Sequence, residues 1–112
     1  MNNFTLSEFR CSCCGQSEMD LDFQHRIDLA RDVANVPFII NSGFRCSKHN
    51  TAIGSTSINH TVGKAADIST TTGFERGRIL KGLYKAGFER IGIRKDFIHV
   101  DSMDKVESCW LY

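Results

Sequence analysis

From Leu21 to Val36 the apolar residues Phe23, Ile27, Ala30 and Ala34 recur at three- and four-residue intervals, and the chain's only proline, Pro37, follows at once. That stripe predicts an amphipathic helix that buries one face and stops before the proline. The period then changes. The run PFIINSGFR reads as a short buried strand with a turn at Ser42-Gly43, and KAADIST is a second strand candidate. Helical spacing returns with Ile79, Leu80, Leu83 and Tyr84 between Phe74 and Ala86, and Gly87 stands where a helix C-terminal glycine is expected. Two β-rich runs, FERIGIR and DFIHVDS, are separated by Lys95 and Asp96 and predict a hairpin. The order is helix, strand, loop, strand, helix, hairpin. It specifies an α+β fold in which a small antiparallel sheet carries helices on one face. A chain of 112 residues supports a single core, so residues 1–112 are expected to form a single domain.

Charge and composition remove several function classes. Fourteen basic and thirteen acidic side chains leave a formal net charge of +1, which gives no global field for nucleic acid or an anionic membrane. No stretch of eighteen consecutive apolar residues is present, so no membrane span is expected. The start, MNNFTLSEFRCSCCG, has no basic segment leading into an apolar run, and the expectation is a protein made in the cytoplasm without a signal peptide. Five cysteines, three of them crowded at Cys11, Cys13 and Cys14, do not form the even framework of a secreted disulfide scaffold.

Two of the four histidines stand beside strand-forming segments with carboxylates close in sequence. In His60-Thr-Val-Gly63-Lys-Ala-Ala-Asp67 a loop histidine precedes a strand whose Asp67 lies among small residues, where backbone can approach closely. The hairpin run Asp96-Phe97-Ile98-His99-Val100-Asp101 offers His99, projecting from the sheet face opposite Ile98 and Val100. Two neutral imidazoles and one carboxylate leave a fourth position for water, which is the ligand set of a catalytic zinc. Structural zinc sites are closed by four protein ligands, usually with cysteines among them. A zinc held by His60, Asp67 and His99 makes amide hydrolysis the natural chemistry.

Several motifs at compatible spacing resemble the M15 zinc peptidases, which include D-alanyl-D-alanine carboxypeptidases and phage endolysin L-alanyl-D-glutamate peptidases. They are Phe4-x-Leu6-Ser7-Glu8-Phe9, Ser42-Gly43-Phe44-Arg45-Cys46, His49-Asn50, Ile53-Gly54, His60-x-x-Gly63-x-Ala65-Ala66-Asp67-Ile68, Gly87-Phe88, Ile91-Gly92-Ile93 and Phe97-Ile98-His99-Val100-Asp101. The resemblance implies zinc at His60, Asp67 and His99, a general base at Asp96, three residues before the last ligand, and a substrate-holding arginine at Arg45. It also implies the stem peptide of bacterial peptidoglycan as substrate, cut by a monomer that acts on the wall after release or as part of a phage particle. One departure concerns the first motif. The serine usual in the family two positions before its histidine is Ile58 here, with Ser57 one residue further back.

Other readings keep their place. Asp101 competes with Asp96 as base and would also serve as a carboxylate orienting a ligand histidine. Trp110 and Tyr112 are expected to pack at an edge or line a groove. The run Cys11-x-Cys13-Cys14 offers ligands for a second metal with Cys46 or Cys109, but read whole it departs from the CxxC pairs of zinc ribbons, which ranks packed thiols first, a disulfide in an exported state second and structural zinc third. A non-catalytic module that binds wall peptide or a virion partner is the alternative function.

Overall fold

The computed structural model describes residues 2–55 and 57–112. Helix α1 (Leu21–Ala34) begins where the Asp20 carboxylate accepts from the Phe23 N–H at 3.0 Å. It ends at Asn35, in the left-handed conformation with φ 54°, because Val36 before Pro37 is disfavoured in helical geometry. The four stripe residues Phe23, Ile27, Ala30 and Ala34 are all fully buried. Helix α3 (Gly73–Lys85) is capped by the Thr72 hydroxyl, which accepts from the Glu75 N–H at 3.1 Å. Its far end is a Schellman turn. The Gly87 and Phe88 N–H groups donate to the Tyr84 and Leu83 carbonyls, and Gly87 takes φ +89°. Between them a short helix, α2 (Ser47–Ala52), follows strand β1 (Ile40–Ser42).

The remaining strands are β2 (Ala65–Ser69), β3 (Arg90–Ile93), β4 (Phe97–Asp101) and β5 (Ser108–Leu111), in the spatial order β1-β2-β4-β3-β5. The first four pair antiparallel, as expected, and β5 adds a parallel edge to β3, which makes the sheet mixed. Alternation along β2 and β4 sorts the side chains. Ala66, Ile68, Ile98 and Val100 join Phe23, Ile27, Ile79 and Leu83 in the core, under α1 and α3. Burying each large side chain of this kind contributes roughly 1.5–3 kcal/mol. Asp67, His99 and Asp101 necessarily project from the opposite face. Among the described residues no helix is long and apolar enough to cross a membrane.

Gly82 sets how closely α3 approaches α1. A Cβ there would lie 2.3 Å from the Ala30 carbonyl oxygen and 2.9 Å from the Ala34 Cβ, whereas a Cβ at Gly77 on the same helix meets nothing within 4 Å. Both substitutions by alanine gain helix propensity, worth about 0.5–1 kcal/mol. Gly77→Ala is therefore expected to raise the urea midpoint. Gly82→Ala is expected to lower it, through overpacking of about 1–3 kcal/mol. Equal midpoints for the two variants would show that the helices separate without cost.

Candidate metal centre and cleft

The centre is built where β2 and β4 run side by side. Asp67 and His99 are direct cross-strand partners in the antiparallel register, so their side chains leave the same face at adjacent positions. His60 arrives from the loop before β2 and stacks edge-on against His99, with ring centroids 5.4 Å apart. The Asp67 Oδ1 lies 2.9 Å from His99 Nδ1 and 3.6 Å from His60 Nε2. One donor atom from each of the three residues falls within 4.8 Å of the others. Bonds of about 2.0–2.1 Å place the ligand atoms of a tetrahedral metal about 3.3 Å apart, and the two observed separations bracket that spacing.

Each imidazole is held from behind. His60 Nδ1 donates to the Gly43 carbonyl at 2.7 Å, which leaves Nε2 turned towards Asp67. His99 Nε2 donates to Asp101 Oδ2 at 2.8 Å, which leaves Nδ1 towards Asp67. Burial pushes the His99 imidazole down, but its hydrogen bonds to Asp101 and Asp67 outweigh burial and raise its pKa above the ordinary value. Burial likewise pushes Asp67 up. Hydrogen bonds from His60 and His99 reverse that and hold the carboxyl well below the usual carboxylate range. A charge-stabilised carboxylate between two imidazoles suits a divalent cation, which exchanges for the proton on His99 Nδ1.

Asp101 is the anchor of this arrangement and is almost wholly buried, at 1% exposure. Besides His99 it accepts from Asn59 Nδ2 at 3.1 Å, Arg90 Nε at 2.7 Å and the Met103 N–H at 3.2 Å. Its acceptor positions are filled, and its pKa is lowered because the His99 and Arg90 bonds outweigh the effect of burial. Asn59 and Arg90 are functional neighbours that the sequence reading did not single out. The signal for Arg90 was its place opposite Asp101 once β3 and β4 pair. Asn59 carried no comparable signal.

Arg45 and Asp67 border one cleft of about 260 Å³, together with Arg10, Ser12, Asn41 and His49. A one-residue irregularity in the β1–β2 pairing, between Ile40 and Ser42, sets Ser42 opposite Asp67 and leads the chain into this wall. The Arg45 guanidinium loses some basicity through burial, offset in part by Asp67, and its Nε is buried without a hydrogen-bond partner. Trp110 lies on Gly92, 5.6 Å from the His99 ring between centroids, with the Arg90 guanidinium 5.3 Å from its own centroid. Tyr112 packs against Phe97 and Trp110. Asp96 is placed differently from the three clustered residues. It sits at the exposed turn before β4, where its carboxylate lies 3.4 Å from Arg94 Nε.

Two imidazoles and a carboxylate that borders a cleft are the donor set of a metallohydrolase. A family model described as Peptidase M15 matches residues 2–101, and the chain belongs to that family of metallopeptidases. Its substrate is accordingly a peptide. No curated protein matches the sequence at a significant level.

Trp110 is the chain's one tryptophan, so its fluorescence reports on the wall of the centre. Gly92→Ala puts a Cβ 2.4 Å from the Trp110 Nε1 and must displace the indole from His99. A changed emission maximum with unchanged far-ultraviolet circular dichroism is expected. Emission identical to the parent would contradict the packing of Trp110 on Gly92.

Proposed function

We propose that residues 1–112 form one catalytic domain, a zinc peptidase that hydrolyses an amide bond in the stem peptide of bacterial peptidoglycan. The observation that carries this reading is the convergence of His60, Asp67 and His99, with Asp67 lining a cleft that Arg10 and Arg45 also line. The two histidines and Asp67 would hold the zinc. Zinc bound by such a set supplies a Lewis acid and brings the pKa of its water to around 7.

The remaining work falls to the chain's own groups. Gly43 and Asp101 fix the two imidazoles in the orientation that presents His60 Nε2 and His99 Nδ1 to one point. Arg45, which lines the cleft, would bind the scissile carbonyl with its guanidinium and stabilise the negative charge that develops on the carbonyl oxygen. Arg10 adds a second positive charge to the same cleft, which suits a stem peptide carrying free carboxylates.

Asp96 is assigned as the general base that takes the proton of the attacking water and later passes it to the leaving amine. The competing residue, Asp101, is occupied by four donors and bonds His99 on the ring nitrogen turned away from Asp67. A carboxylate so committed orients the ring. Among the described residues the Asp96 side chain has only an exposed ion pair with Arg94, of the kind worth about 0–1 kcal/mol, which leaves it free to turn. Delivery to the wall, after release from the host cell or as part of a phage particle, belongs to the same reading, with the protein acting as a monomer.

Digestion of purified peptidoglycan, followed by mass spectrometry of the released fragments, tests the reading. New amino and carboxyl termini within the stem peptide are expected; intact stems after prolonged incubation with the zinc-loaded protein would mean a binding module instead. Asp96→Asn is expected to keep its zinc while turnover falls about 10²–10⁴-fold. Arg45→Lys keeps the charge and loses the planar fork, so turnover should fall with little change in thermal midpoint. If Asp101→Asn alone is slow while fully loaded with zinc, the base has been misassigned.

A further inference from the structure

Outside the cleft one cluster of metal-binding side chains has no part in the chemistry above. Cys11, Cys14 and Cys46 each offer a sulfur, and the three sulfurs lie within 4.8 Å of one another. Taken as a run of three, the N-terminal cysteines match no zinc pattern. In the fold, Cys11 and Cys14 form a C-x-x-C pair whose thiols gather beside Cys46, thirty-five residues beyond Cys11. The turn that carries them is a tight knuckle. Its ends are joined by the Cys11 N–H to the Gln16 carbonyl at 2.7 Å and the Gly15 N–H to the Cys11 carbonyl at 2.8 Å. Gly15 has φ +75°, a left-handed conformation that reverses the backbone directly after Cys14.

We infer that Cys11, Cys14 and Cys46 form a second, structural zinc site, distinct from the His60, Asp67 and His99 centre. The sulfurs of Cys11 and Cys46 are 3.7 Å apart. A tetrahedral zinc with Zn–S bonds of about 2.3 Å needs sulfurs about 3.8 Å apart, whereas a disulfide needs about 2.05 Å. Soft thiolates select zinc over the hard divalent cations. The three thiolates fill three corners of the tetrahedron, and one further ligand would close the set. Backbone donors favour the thiolate form: the Cys46 N–H points at the Cys11 sulfur at 3.5 Å and the His49 N–H at the Cys46 sulfur at 3.4 Å. On binding, each coordinating thiol releases its proton to solvent.

The site has a structural purpose that can be named. Cys46 directly follows Arg45, and the preceding residues Gly43 and Phe44 hold His60 Nδ1 and the Phe9 carbonyl. A metal on Cys46 therefore ties the N-terminal knuckle to the segment that forms one wall of the cleft.

Metal content and cobalt spectroscopy of the full chain, prepared under reducing conditions, test the inference separately from the catalytic reading. Native mass spectrometry is expected to find two zinc ions on the parent, one on His60→Ala and one on Cys14→Ser. Cys14 is exposed, so its replacement should not disturb the core, and Cys109→Ser, a change to an exposed cysteine on β5, should keep both ions. Cobalt-loaded His60→Ala is expected to show the near-ultraviolet thiolate-to-cobalt absorption, and Cys14→Ser to lose it. Absence of that absorption in His60→Ala, or zinc content unaffected by Cys14→Ser, would overturn the thiolate site and leave the histidine centre untouched. A Cys11–Cys46 disulfide in place of bound metal would overturn it equally.

Discussion

The arrangement depends on one chain of hydrogen bonds, Asp67 to His99 to Asp101, strung across the non-core face of two antiparallel strands. The β2–β4 register makes it possible, because pairing Asp67 with His99 and Ala65 with Asp101 brings all these positions to one side. A slip of one residue would send His99 into the hydrophobic core and Ile98 into the cleft. The burial of Ala66, Ile68, Ile98 and Val100 under α1 and α3 thus does two jobs. It holds the sheet to its helices, and it disfavours the one-residue slips that would turn the centre's side chains inward.

Asp101 shows how a buried charge is made tolerable and useful at once. An isolated carboxylate at 1% exposure would be strongly disfavoured, and here Arg90, Asn59, His99 and a backbone N–H share it. Arg90 in turn lies over Trp110, and Trp110 lies over Gly92 beside His99. The wall of the centre is therefore a packed unit drawn from β3, β4 and β5. The opposite wall comes from the Gly43–Cys46 segment, where the carbonyl of Gly43 aims His60, Arg45 faces the cleft and Cys46 reaches the N-terminal knuckle.

Much of this is legible in the sequence wherever the information is local. The stripe Phe23, Ile27, Ala30 and Ala34 specified α1 and its buried face, and Gly87 marked the end of α3. His60, Asp67 and His99 were legible as a donor set, with the β2–β4 pairing left to bring them together. What escaped was non-local. Strand β5 exists because four residues, Ser108 to Leu111, find the open edge of β3, and nothing within SCWL distinguishes it from a loop. Helix α2 has no apolar stripe and rests on a cap from Cys46. The C-x-x-C pair was hidden by Cys13, since only the fold tells which two of three neighbouring thiols turn towards a partner distant in sequence.

Anomalous diffraction at the zinc absorption edge, on crystals of the protein grown with zinc, addresses the central claim directly. The account expects a strong peak bounded by His60 Nε2, His99 Nδ1 and an Asp67 oxygen, with Asp101 still bonded to His99 Nε2. Crystals with no anomalous density between those three side chains, or with His99 turned so that Nε2 meets the metal and Asp101 is released, would contradict it.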